Sequence, residues 1–546
     1  MRLRWVWTWV SIALVACGSG DHGSSGPGAS PDSGETDGSD ASSADSSVSS
    51  DGAAGDGTAE TDASIEASPR EAAAAPDSSE ADVTASDGAN GDGASVDGTT
   101  PDGSGDGSSA DSEAGVVPDG SSDAAVEGSV STGTPHPLSL AAQVGQALFY
   151  DTSLSASGQM ACSTCHDPTQ AYGPPNDLSV QLGGPNLDQP GTRAVPSLRY
   201  KEFTPPYADL LDNPDGVSAP GPGGGLTWDG RAATLADQAK IPLLSSFEMA
   251  NASSGDVTAK VQATSYAGLF RQAFSNDDFS DPDVTFNDVA AALQAYQIED
   301  ISFHPFSSKF DLYDSNKIGG TLTPAERRGM TVFTDANSGN CASCHYQGAG
   351  LNGSAALFTD FSYEAIGLPR NTAEIPGNSD PNFVDMGVCG PTRTDHLPSA
   401  PGAADAFCGM FKAPTLRNVA ARKVFFHNGV IHSLEQVIRF YNTRDTNPEI
   451  WYPTAGGTAL ATPDPGFPTY GLITTQYTGG TVQKFDDLLP AYVVNIDPQL
   501  PLDGRPAGST PPMTEQNIAD LICFLYTLND ADVTPATPLA AGQCDN

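Results

Sequence analysis

The chain has 546 residues, 68 of them acidic and 24 basic, for a formal net charge of −44 at pH 7. Such a charge repels a phosphate backbone, which excludes nucleic acid as a partner. It is unevenly spread: residues 18–134 hold 25 acids against one base, Arg70, and no aromatic residue.

In chain order, residues 1–16 read as a leader. Arg2 and Arg4 precede an apolar run from Trp5 to Ala16, the pattern of a signal peptide. The run ends Leu14-Val15-Ala16-Cys17, which resembles the lipobox of bacterial lipoproteins, so Cys17 is expected to carry lipid. Residues 17–134 are Asp, Ser, Gly and Ala with too few apolar side chains to bury a core. They are expected to form a disordered linker between the anchor and the folded part. No later apolar run is long enough to span a bilayer, so the membrane is reached through lipid alone. The expected location is outside the cytoplasm, anchored to a bacterial membrane and facing the periplasm or the cell surface.

The last 412 residues hold every Phe and Tyr and suffice for two domains. Leu140, Val144 and Leu148 make one helical stripe, and Val289, Leu293 and Tyr296 another. Residues 213–226 read as a Gly/Pro-rich loop. Thr323-Pro324-Ala325-Glu326 opens a helix with a capping box and Pro at its first position. Ser433 opens another, with Leu434, Val437, Ile438 and Tyr441 on one stripe, and Ile518, Leu521, Leu525 and Leu528 mark the last. The class is mainly α.

Cysteine usage carries the chemistry. Cys162-Ser-Thr-Cys165-His166 and Cys341-Ala-Ser-Cys344-His345 both read Cys-x-x-Cys-His, the attachment signature of c-type haem. Two thioethers fix the vinyl groups, and the adjacent histidine is placed under the iron. A redox dithiol or half a zinc site needs no such histidine. Cys389, Cys408, Cys523 and Cys544 remain, and in an oxidising compartment they are expected to pair. Three connectivities are open, of which the local one, 389–408 with 523–544, is expected.

The folded part also looks duplicated. Each haem motif follows a helix with Gly and Phe four apart, Gly145 and Phe149, then Gly329 and Phe333. Val195-Pro-Ser-Leu-Arg199 is matched by Ala413-Pro-Thr-Leu-Arg417. Trp228-Asp-Gly230 precedes Thr234 by the same spacing with which His427-Asn-Gly429 precedes Ser433. Two tandem cytochrome-c-like haem domains are expected, at 138–315 and 320–530.

The ordered set Cys162–His166, Trp228-Asp-Gly-Arg231, Glu248-Met249, Cys341–His345, Phe411-Lys-Ala-Pro-Thr-Leu-Arg-Asn418 and His427-Asn-Gly429 resembles the bacterial di-haem cytochrome c peroxidases and the related MauG proteins. The resemblance runs from about residue 138 to about 530. It implies a peroxidatic haem on His166 and an electron-transfer haem on His345, with hydrogen peroxide reduced to water at the first. It implies Glu248 as the distal proton-moving carboxylate, Gln238 beside the same pocket, and Trp228 as the relay between haems. A small electron-donor protein, such as a cytochrome c or a copper protein, is the implied partner.

Three departures matter. Peroxidases needing reductive activation carry a blocking histidine some sixteen residues after the first haem histidine; here Asp177 to Pro190 has none, and Leu182 stands near the place. The first haem is therefore expected to be open. The second haem's usual methionine is replaced by Tyr441, as in MauG-like proteins, so Tyr441 is the expected ligand and Met410 its rival. The family's calcium takes a side-chain oxygen from an Asn where this chain has Ala194, its other ligands being carbonyls near Arg422 and Val424. Losing that oxygen weakens a calcium site. Two alternatives stay open: MauG-like oxidation of aromatic residues on a partner protein, and a non-enzymatic di-haem electron carrier.

Overall fold

The computed structural model describes residues 137–350, 353–398, 405–462, 464 and 470–546. The leader, the acidic linker and Cys17 lie outside the described residues. Ten helices occur among those described: α1 Leu140–Tyr150, α2 Cys162–Cys165, α3 Leu235–Leu244, α4 Ser254–Ala263, α5 Ala267–Ala273, α6 Pro282–Glu299, α7 Lys309–Asp314, α8 Pro324–Thr334, α9 Leu434–Thr443 and α10 Glu515–Tyr526. Strands are two to four residues long and pair in antiparallel twos. Within the stretch expected to be loop, Gly221–Gly223 forms a short strand that turns back to pair with Ala208–Leu211, just before that stretch.

Helix starts follow local chemistry. Thr323 and Glu326 cap α8 reciprocally, and Thr234 and Ser433 accept backbone N–H groups at the starts of α3 and α9. Two helix crossings then organise the molecule, α1 on α6 and α8 on α10. A Cβ on Gly145 would stand 1.9 Å from the Ala292 carbonyl oxygen and 2.8 Å from Tyr296 Cβ. A Cβ on Gly329 would meet the Asp520 oxygen and Phe524 Cβ at the same 1.9 and 2.8 Å. No side chain fits at either crossing, and the matched geometry is the packing counterpart of the sequence repeat.

Two hydrophobic cores result. The first gathers Val144, Leu148, Phe149, Val289, Leu293, Tyr296 and Phe303; the second gathers Phe333, Phe358, Phe440, Trp451, Leu521 and Phe524. Both belong to one compact unit. Contacts cross the expected borders. Helix α7 puts Phe310 into the second core, and Arg417 pairs with its Asp311 at 2.7 Å, so residues before 315 already serve the second half. At the other border, Asp530 and Asp532 pair with Arg199 at 2.9 and 2.5 Å, tying the C-terminal segment to the first half. The disulfides are Cys389–Cys408 and Cys523–Cys544.

Candidate haem sites

Each half builds its site from the same parts. The Nδ1 of His166 lies 3.0 Å from the Tyr172 carbonyl, and that of His345 lies 3.1 Å from the Phe358 carbonyl. A carbonyl has no proton to give, so Nδ1 donates and Nε2 keeps its lone pair. The same carbonyls accept Leu198 N at 3.1 Å and Leu416 N at 3.3 Å, which fixes the ring orientation from the repeated Pro-Ser/Thr-Leu-Arg segments. Burial pulls both imidazoles down to about 4, so both are neutral at pH 7. These are oriented, neutral metal ligands with a carbonyl behind each.

The distal walls come from matched turns. Leu226 N donates to Ala232 O at 2.7 Å, and Phe425 N to Ile431 O at 2.9 Å, closing loops that carry Trp228 and His427. Thr227 sits at φ 72° and Phe426 at φ 66°, a region that β-branched and bulky residues avoid. Strain at two equivalent positions marks turns held for a purpose. Asp229, fully buried, anchors the first turn through Arg193 at 2.7 Å and Arg231 at 2.9 Å.

The first cavity, about 410 Å³, is lined by Cys162, Cys165, His166, Trp228, Arg231, Gln238, Glu248 and Leu182. The sequence-predicted residues of the first site thus come together. Glu248 follows α3, where its carbonyl accepts Gly184 N at 2.8 Å. Burial pushes its carboxyl above the ordinary range, against the opposing hydrogen bond from Ser245 and the Arg231 charge. Leu182 occupies the wall near the place of the missing histidine, and His166 is the only imidazole among the lining residues.

The second cavity, about 200 Å³, is lined by Cys341, Cys344, His345, His427 and the α9 stripe Leu434, Val437, Ile438 and Tyr441. Burial holds the Tyr441 phenol above its usual range. Met410 is absent from this lining, its backbone being bridged to Gly387; the methionine on the wall is Met513, brought by the segment that starts α10. Met410, the expected rival of Tyr441, is therefore not on this wall, and Met513 is. His427 stacks on Phe411 at 3.4 Å and 7°, and burial pulls it down to about 3.

Trp228 lines both cavities, as do Pro196 and Lys201. The indole Nε1 donates to Ala194 O at 2.8 Å, which fixes the ring between them. Lys201 was missed from sequence. Burial and the nearby Arg422 pull its ammonium down to about 8, and it makes no ion pair among the described residues. An anion-bearing cofactor fits there, and haem brings two carboxylates. The four cysteines of the two motifs are free while the other four are paired, and each free pair stands beside an oriented histidine in a cavity. The donor set fits haem.

A mainly helical chain with two such histidine sites and one aromatic shared between them defines a di-haem oxidoreductase. Residues 139–318 match the family described as di-haem cytochrome c peroxidase. The chain is 35% identical over 322 residues to the methylamine utilization protein MauG of Paracoccus denitrificans, covering 58% of this chain and 77% of that one. It is 27% identical to the cytochrome c551 peroxidase of Pseudomonas aeruginosa, over 54% of this chain and 71% of that protein. Among solved structures it is similar to the diheme peroxidase BthA of Burkholderia thailandensis, with TM-score 0.61 and 32% identity, covering 74% of this chain and 90% of that one. The chain belongs to the di-haem cytochrome c peroxidase and MauG family, and is an oxidoreductase of that type.

Proposed function

We propose that the protein reduces hydrogen peroxide to water at the site of His166, drawing electrons through the site of His345, with both haems covalently attached. The observation that carries this reading is the asymmetry of the two cavities. Glu248 is the one carboxylate on the first wall, which holds no tyrosine; the second wall carries Tyr441 beside Glu364 and Asp497; Trp228 lines both. Bound haem would supply the iron that exchanges electrons with peroxide. The chain's own work is positional: His166 and His345 hold the metals, Glu248 relays the proton, Gln238 sits on the same wall, and Trp228 fills the gap between sites. Similarity to MauG and the tyrosine in the second cavity favour a second reading, oxidation of aromatic residues on a partner protein.

The test is a mass spectrum of denatured protein followed by electron paramagnetic resonance of the as-isolated ferric form. Two attached haems and one high-spin signal, from the open first site, are expected. Fewer than two attached haems would sink covalent attachment at both motifs, and two low-spin signals with no high-spin component would leave the di-haem electron-carrier reading in front.

We further infer that the chain is exported and anchored through lipid on Cys17, which places the donor protein in the same compartment. Support comes from the Leu14-Val15-Ala16-Cys17 sequence and the acidic stretch behind it. Cys17→Ser should move the protein from membrane to soluble fractions; unchanged fractionation sinks the anchor.

A further inference from the structure

The calcium implied by the family resemblance would lie between the two haem sites, held by an Asn side chain and by carbonyls near Arg422 and Val424. The residues present do not fit it. Ala194 has no side-chain oxygen, its carbonyl accepts the Trp228 indole at 2.8 Å, and its N–H donates to His427 O at 2.8 Å. The Arg422 guanidinium donates from Nε to Val424 O at 3.2 Å and from Nη2 to Val195 O at 3.2 Å. One carbonyl expected to face the metal is thus taken by a cation of the chain itself. The same cation bridges to the segment that lost the Asn.

The charge state supports this placement. Arg422 stands on the wall of the second cavity and makes no ion pair among the described residues. A guanidinium is a permanent cation near neutral pH, and its neighbours here are the Val424 and Val195 carbonyl dipoles, the same hard oxygens that calcium takes. Lys201 adds a second basic side chain on the same cavity wall. A divalent ion brought into this junction would meet two cations and no carboxylate side chain in the ligand positions.

We propose that the guanidinium of Arg422 is the permanent cation of the junction between the two haem sites, taking the place of a calcium ion and fixing the Ala194–Val195 backbone under Trp228 without metal. Arg422 is a positioning residue: it reaches Trp228 only through that backbone.

The test uses the holoprotein. Equilibrated with calcium and then desalted, the wild type should carry well under one calcium per chain by elemental analysis. A calcium chelator should leave its electron paramagnetic resonance and electronic spectra unchanged. The double variant Arg422→Thr with Ala194→Asn vacates the Val424 carbonyl and restores the side-chain oxygen. It should take up one calcium per chain and shift its spectra on calcium addition, a response that a merely structural arginine would not unmask. One firmly held calcium in the wild type, or spectra altered by the chelator, overturns the proposal. So does a double variant that ignores calcium and keeps wild-type spectra. Should the variant not fold, the wild-type calcium content and chelator response decide alone.

Discussion

Glu248→Gln is expected to slow the reaction of the holoprotein with hydrogen peroxide by about 10²-fold or more, the usual worth of a positioned proton carrier. Besides Glu248 the first cavity offers Lys201, whose ammonium at about 8 is charged at pH 7 and has no free lone pair to take peroxide's proton, and groups that do not titrate. Arg231 is a permanent cation held by Asp229 at 2.9 Å, and Gln238 has no titrating proton, whereas Glu248 has both an acidic proton and a place on the wall. The substitution keeps shape and size, so the spin state set by His166 should not change. The pH dependence follows from the direction of the shift. The carboxylate form is the one that accepts peroxide's proton, and burial raises the pKa of Glu248. The rate should therefore fall as pH drops through an acid limb lying above the ordinary Glu value of about 4.3, and that limb should vanish in the Gln variant. Stopped-flow mixing across pH reads both. A Gln variant as fast as wild type, or one that keeps the limb, removes Glu248 from the mechanism.

What the sequence made legible was what is local. Both Cys-x-x-Cys-His motifs, the hydroxyl caps Thr234 and Ser433, and the Gly–Phe spacing of α1 and α8 are written within a few residues of one another. Each follows from backbone chemistry that needs no distant partner. The duplication was legible for the same reason, and the equal 1.9 Å approaches at Gly145 and Gly329 give it a packing cause. What depends on distant contact was not. Arg199 and Asp530 are 331 residues apart, and nothing near either announces the other. Helix α7 reads as the end of the first half, yet Phe310 finds the second core because Phe358 and Phe524 offer their edges there. Lys201 and Arg422 look like ordinary surface bases; only the fold shows that they stand on cavity walls. Met410 stands near a motif and reads as the rival of Tyr441, yet Met513 is the methionine on the wall, since distance along the chain says little about which sulfur reaches a cavity.

Tyr441→Met should raise the reduction potential of the haem on His345 by roughly a few tenths of a volt, a fraction of the ~0.8 V that axial ligands span. The argument starts from the cap. Ser433 accepts Gln436 N and so fixes where α9 begins, which places Leu434, Val437, Ile438 and Tyr441 on the face toward the second cavity. Its three apolar members supply packing. Tyr441 adds a phenol at that cavity, raised by burial and without a hydrogen-bond partner among the described residues. A tyrosine enclosed in protein ordinarily finds such a partner, and the partner expected here is the iron held by His345. A metal cation there would reverse the effect of burial and favour the phenolate. An anionic oxygen stabilises ferric over ferrous iron, while a neutral thioether does the reverse, which gives the sign of the shift. Spectroelectrochemical titration of the wild type and the variant measures it, with the low-spin spectrum as a second readout. If potential and spectrum both stay put, Tyr441 is a packing residue of α9, and the sulfur of Met513, on the same wall, becomes the candidate ligand.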